Sequence, residues 1–213
     1  MSVPEVDRLL GHVRDLTQQY LAGGPDAFGA FCDLVNLLLR ITVLEPGAPG
    51  VRLTAGPRPP DREVIEGGWA QDRGVVLLTD GRFLRLSIVL FRAPHEGGHR
   101  MKVEQASYQY QTDPAGNGWV FRYDYRREPA DQHPATHVQV RGDLRETVSP
   151  HRGLLERVHF PTGRVSLEAV IRLLVEQFAV PANSSPEVWR RVLAESERAF
   201  EQIAHRPLSG PSG

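Results

Sequence analysis

Apolar residues recur at helical spacing at both ends of this chain and alternate with polar ones through its middle. Val6, Leu9, Leu10, Val13, Leu16 and Tyr20 keep a 3.6-residue period and predict a helix over residues 4–21. Gly23-Gly24-Pro25 stops it, and Asp26 is placed to cap a second helix running to about Arg40. Phe28, Phe31, Leu34, Val35, Leu38 and Leu39 form the stripe of that second helix. Residues 1–44 thus read as a helical hairpin docked on the rest. Residues 45–72 are rich in Pro and Gly and read as an irregular segment, with a short edge strand at Val51–Leu53.

Between residues 73 and 164 the period shortens to two. Val75–Leu78 is a short buried run, and Asp80-Gly81 signals a two-residue type I′ hairpin turn. Phe83–Phe91 follows, with Leu84, Leu86, Ile88 and Leu90 on one face. A turn over 93–98 leads to strands near 99–111, 118–127 and 136–141, the first two joined by a polar loop of five or six residues at Asp113–Gly118. Trp119, Phe121, Tyr123 and Tyr125 share one parity, and Val120, Arg122, Asp124 and Arg126 the other. A further short strand is expected at Arg157–Phe160.

Residues 165–205 return to helical spacing. Ser166 is a suitable N-cap and Glu168 suits the first turn of a helix over Leu167–Phe178 that carries Val170, Leu173, Leu174 and Phe178. Pro181 ends it. Ser185-Pro186 opens a last helix with Trp189, Val192, Leu193, Phe200 and Ile203 as its stripe. Residues 206–213 read as a disordered tail. The expectation is a single α+β domain, with an antiparallel meander of about five strands packed against the N-terminal hairpin and two C-terminal helices.

Composition narrows the partners. The chain has 213 residues, 40% hydrophobic and 24% charged, enough for an ordinary core. A formal net charge of −1 gives no global field for nucleic acid, so such a partner needs a local basic patch. Cys32 is the single cysteine, which excludes an intrachain disulfide and a multi-cysteine zinc site. No leader-like or spanning apolar run occurs, so a cytoplasmic protein without membrane contact is expected. Gly-x-Ser-x-Gly, His-Glu-x-x-His and a phosphate-loop Gly-rich turn are all missing from the sequence.

The chemistry concentrates in residues 108–142. With the strands as neighbours, Arg122, Asp124, His137 and Arg141 converge on one face: a carboxylate, a group titrating near neutrality and two planar cations. The structural alternative is a solvated sheet face with ordinary cross-strand Arg–Asp pairs. His159, Thr162 and Arg164, just ahead of the helix at Ser166, form a second candidate anion site. His133 and His137 have metal spacing only on a helix, which Pro134 opposes; no metal or cofactor is expected, and a metal-dependent hydrolase using His133, His137 and Asp124 is a minor alternative.

Tyr108, Tyr110, Phe121, Arg122, Tyr123, Asp124, His133, Pro134 and His137, in that order and spacing, resemble the core of the TumE-type toxin family of bacterial toxin–antitoxin systems. The resemblance implies growth inhibition through RNA, relieved by an antitoxin protein. In its catalytic version His137 is general acid or base beside Asp124, and Arg122 and Arg141 stabilise charge on phosphate. Tyr110 or Tyr123 stacks a base, and His133, His159 and Arg164 complete substrate binding. The rival reading is a non-enzymatic protein-interaction or homodimerising module, exposing an apolar patch around Trp119, Phe121 and Tyr125.

Overall fold

The computed structural model describes residues 3–56, 62–69, 74–95, 98–128, 135–141, 160–161 and 163–204, the side chains of 199–204 excepted. Among them the elements run α1 (Val3–Leu21), α2 (Ala27–Ile41), β1 (Val51–Ala55), β2 (Arg62–Gly67), β3 (Val75–Leu77), β4 (Phe83–His95), β5 (Gly98–Gln111), β6 (Trp119–Arg126), β7 (Thr136–Val140), α3 (Leu167–Gln177) and α4 (Pro186–Ala204). The strands form one antiparallel sheet in the order β1-β2-β4-β5-β6-β7, with β3 also on β4. β2 lies against Ser87–Phe91 and β3 against Phe83–Arg85, so the two share one edge of the long β4.

The alternating apolar positions explain which face is covered. Leu84, Leu86, Ile88 and Leu90 of β4 are buried. Register carries that face across Tyr108 and Tyr110 of β5 to Tyr123 and Phe121 of β6. The same hydrophobic cluster takes in Val13 of α1, Leu39 of α2, Leu174 of α3 and Leu193 of α4. Phe121 is its aromatic centre: its ring lies 5.3 Å from Phe178, 5.7 Å from Tyr110 and Phe160, and 5.8 Å from Tyr123. On the opposite face Arg85, Ser87, Ser107, Gln109, Arg122 and Asp124 are only half-buried.

The first and last helices meet. α1 packs on both α2 and α4. Arg14 reaches Glu195 at 2.9 Å and Arg191 reaches Asp7 at 3.3 Å. The linker between α3 and α4 closes the end of α2: Asn183 donates from its side chain to the carbonyls of Arg40 (3.0 Å) and Leu44 (2.6 Å), and Ser184 to that of Ile41 (2.9 Å). Carbonyls left open at a helix end are thereby satisfied. The tight turn from α1 to α2 needs Gly23, at φ 66°, because a Cβ there would lie 2.1 Å from the His99 carbonyl oxygen.

The α+β class, all four helices and the meander β3 to β7 match the sequence expectation. Ser166 caps α3 as expected, accepting from the Ala169 N–H at 3.0 Å. Four details differ. Residues 45–72 supply the edge strand expected at Val51–Leu53, as β1, and a second strand, β2, that was not expected; Arg62, Glu63 and Glu66 mask a strand whose fully buried side chain is Ile65. Asp26 makes no side-chain cap on α2. The turn at Asp80-Gly81 is not type I′, because only Gly81 has positive φ. Instead Gly81 N–H reaches the Leu78 carbonyl and Leu78 N–H the Arg82 carbonyl, the pattern of a longer turn closed by a glycine bulge. Finally, Trp119 pairs with Gln111 across a bulge that lets both Val120 and Phe121 bury, so it leaves the aromatic face. The expected strand at 157–160 and the tail at 206–213 fall on residues outside the described ones, except Phe160, which is in no strand.

Candidate functional site

Cross-strand register brings part of the expected cluster together. Ser107, Asp124 and His137 lie in one row across β5, β6 and β7, and Arg122 is two residues along β6 on the same face. Asp124 is the hub. Ser107 donates its hydroxyl to Oδ1 at 2.8 Å, Arg122 donates Nε–H to Oδ2 at 2.6 Å, and His137 Nε2 lies 3.3 Å from Oδ2. Ser107, absent from the sequence candidates, is the third partner, and the hairpin register is the signal that finds it. The other imidazole nitrogen, Nδ1, is enclosed and has no hydrogen-bond partner among the described residues. The carboxylate is thus bonded on both oxygens, and the imidazole turns one nitrogen to it and hides the other. That arrangement stabilises a row of strands; it does not present a base to an incoming hydroxyl in this conformation.

The remaining candidates are dispersed. Arg141 lies four residues along from His137, roughly 13 Å at a strand rise of ~3.3 Å per residue. It donates to the Asn117 carbonyl at the far end of β7. Tyr110 is fully buried, donating to Asp80 Oδ2 and accepting from Arg82, each at 2.7 Å. Tyr123 is buried and donates to the Pro161 carbonyl at 2.8 Å. Burial raises the pKa of both phenols, which stay neutral donors. As core residues, neither offers an open ring face to a base, contrary to the stacking role expected of them. The apolar patch expected around Trp119, Phe121 and Tyr125 does not form either, since Phe121 is fully buried and the other two are half-buried. The exposed large apolar residues among those described are Val3, Val138 and Val140. His133, His159 and Thr162 lie outside the described residues. No group of three or more metal-ligating side chains forms among the described ones. Cys32 is buried, and burial pushes its thiol up to about 11, away from reactivity.

Beneath the other face of the sheet is a feature that sequence reasoning missed. A cavity of about 70 Å³ opens between β4, β5, α1, α2 and the start of α3. Its walls are apolar, among them Leu34, Val35, Leu38, Ile88, Met101 and Ala106, yet Tyr20, Tyr108, Arg164, Glu168 and Ser196 also line it. Arg164 holds its guanidinium 4.6 Å from the centre of the Tyr125 ring, and burial lowers its pKa. Glu168, on the first turn of α3, is 7% exposed and accepts from the Ser196 hydroxyl. Burial raises its pKa most, against the lowering effect of Ser196, and nearby Glu197 raises it further. Burial likewise raises the pKa of Tyr20 and Tyr108, and both feel Glu168. An apolar pocket with converging, perturbed polar groups is what a small-molecule site looks like. The signal in the sequence was Glu168 itself, an acid beside the buried stripe of Leu167, Val170 and Ile171.

No helix among the described residues is long and apolar enough to cross a membrane. No protein-family model, curated protein or solved structure matches the chain, so its two candidate sites stand on their own geometry.

Proposed function

We propose that this chain is a non-enzymatic binding module whose ligand occupies the cavity between sheet and helices. The observation that carries this reading is the gathering of Glu168, Tyr20 and Tyr108 at one apolar cavity. Buried polar groups normally satisfy one another, as Ser107, Arg122 and Asp124 do on the other face. An apolar cavity with a few converging polar groups is suited to a compact, mainly apolar guest with a polar end. The test is binding of 1-butanol, followed by methyl resonances of Leu34, Val35 and Met101. Saturable shifts in the wild type, lost in Ala106→Leu, are expected; no shift at millimolar probe would overturn the reading.

A second reading is a toxin-like domain acting on RNA and held by an antitoxin, supported by the resemblance over residues 108–142 and by the meeting of Arg122, Asp124 and His137. It requires His137 to turn away from Asp124 when substrate binds. Induced expression in a bacterial host tests it. Growth arrest by the wild type, abolished in Arg122→Ala/His137→Ala, supports it, and unimpeded growth counts against it.

A further inference from the structure

We infer that the end of the sheet around Phe91 binds a phosphate group, free or as a small monoester, through Arg127, Lys102 and Arg126. This site is independent of the cavity and lies on the polar face of the sheet.

Strand register builds it. Arg62 of β2, Phe91 of β4 and Lys102 of β5 form one row, and cross-strand partners share a face. The next row on that face is Val89, Gln105 and Arg126 of β6. Between the two rows β5 breaks step. Val103 pairs with Leu90 and Gln105 with Val89, so Glu104 is the extra residue of a bulge. Bulges re-aim the groups around them and recur beside binding sites for that reason. Here the bulge turns two carbonyls to Arg127. The Arg127 backbone N–H donates to the Glu104 carbonyl at 2.8 Å, and its Nε–H to the Val103 carbonyl at 2.9 Å. Its guanidinium carbon stands 5.9 Å from the centre of the Phe91 ring, and that of Arg62 stands 5.5 Å from the same point. Carbonyls and an aromatic ring thus fix the Arg127 guanidinium in place, and such preorganisation favours binding.

The charges select the ligand. Arg62 pairs with Glu104 at 2.7 Å. Glu128 is exposed, and Glu63 shares the helix-facing side of the sheet with its partner Leu90. Among the described residues the patch sets Arg62, Lys102, Arg126 and Arg127 against Glu104 and Glu128, a surplus of two positive charges in a chain of formal net charge −1. The crowding reaches Arg164, whose pKa is lowered most by burial and further by the like charge of Arg127. A phosphate monoester carries about −1.5 to −2 near neutral pH, and its oxygens match the guanidinium fork. A longer polyanion would need cations to spare along the whole face. Toward the two edges, however, Arg52 is paired with Glu66 and Arg122 with Asp124. The compact anion is the better fit.

Lys102 is the one lysine of the chain. Reductive methylation with isotope-labelled formaldehyde therefore places an NMR reporter on it, beside the N-terminal amine, and keeps its charge. The labelled full chain is titrated at constant ionic strength with inorganic phosphate, phenyl phosphate and, as a monoanion control, acetate. Expected is a saturable shift of the Lys102 methyl resonance with phosphate, with affinity at least ~tenfold weaker for acetate and in Arg127→Gln. Tighter binding of phenyl phosphate identifies a monoester as the ligand class, and tighter binding of inorganic phosphate the free ion. Shifts that do not saturate at millimolar phosphate, that acetate reproduces, or that Arg127→Gln leaves unchanged overturn the inference. If Arg127→Gln does not fold, calorimetry on Lys102→Gln decides. A loss of phosphate affinity of at least ~threefold is expected there, and an unchanged affinity overturns the inference.

Discussion

The two faces of one sheet hold two carboxyl groups in opposite circumstances. Asp124 is half-buried and has three partners, Ser107, Arg122 and His137, all from the same three adjoining strands. Glu168 is buried, takes a hydroxyl from α4 and has no described cation paired with it. The first group is held by short-range register, so its charge is answered by the fold itself. The second is held by packing between elements far apart in sequence, so its charge is left as a standing cost. A densely bonded charge cluster therefore marks structure more often than it marks chemistry, and the less conspicuous isolated acid is the better pointer to a ligand.

The largest perturbation removes what both faces share. Phe121→Ala takes the centre out of the aromatic cluster beneath β6, and a loss of about 3–5 kcal/mol is expected in equilibrium urea unfolding. A loss under ~1.5 kcal/mol would mean that this core collapses around the gap.

Glu168→Gln comes next and acts in the opposite direction. A raised native pKa means the native state binds more protons than the unfolded one, so the acid destabilises once pH passes its unfolded value, and increasingly until its native value is reached. The amide removes that cost. Its melting temperature should exceed that of the wild type by a few degrees at pH 8, with the gain fading as pH falls toward 4. A gain that is the same at both pH values would show that Glu168 is not the buried acid described.

Asp124→Asn tests the other carboxyl and should cost about 1 kcal/mol or less, the scale of partly exposed ion pairs. In a double-mutant cycle its coupling to Arg122→Ala should stay below ~1 kcal/mol; a coupling above ~2 kcal/mol would remove the contrast between the faces. Smallest of all, Val138→Lys at an exposed position of β7 should change unfolding free energy by no more than ~0.5 kcal/mol.

What the sequence made legible follows from the range of the forces involved. Helical and two-residue periods are local, so α1 to α4 and β3 to β7 could be read directly. Alternation and the β5–β6 hairpin also set the face shared by Arg122, Asp124 and His137. Alternation fixes a face but not a distance, which is why Arg141 has the parity of His137 and yet lies at the other end of β7. The β6 bulge was invisible because consecutive apolar residues, Val120 and Phe121, can both bury only if the strand breaks step. β2 was hidden by its charges, whose partners come from other strands: Arg62 meets Glu104 of β5 at 2.7 Å and Glu66 meets Arg52 of β1 at 3.2 Å. The cavity was hidden for the same reason on a larger scale, since no periodicity reveals that the first turn of α3 will face Tyr20 of α1 and Ser196 of α4.

The packing of the first helix on the last has a consequence in time. On the ribosome, α1 emerges about 165 residues before α4 begins, which at ~5–20 residues per second is a delay of roughly 10–30 s. Throughout that interval the side of α1 destined for α4 has no native cover. A nascent chain of this protein should therefore be a client of holding chaperones until synthesis is nearly complete, and stalling translation before Pro186 should leave a product that aggregates where the finished chain does not.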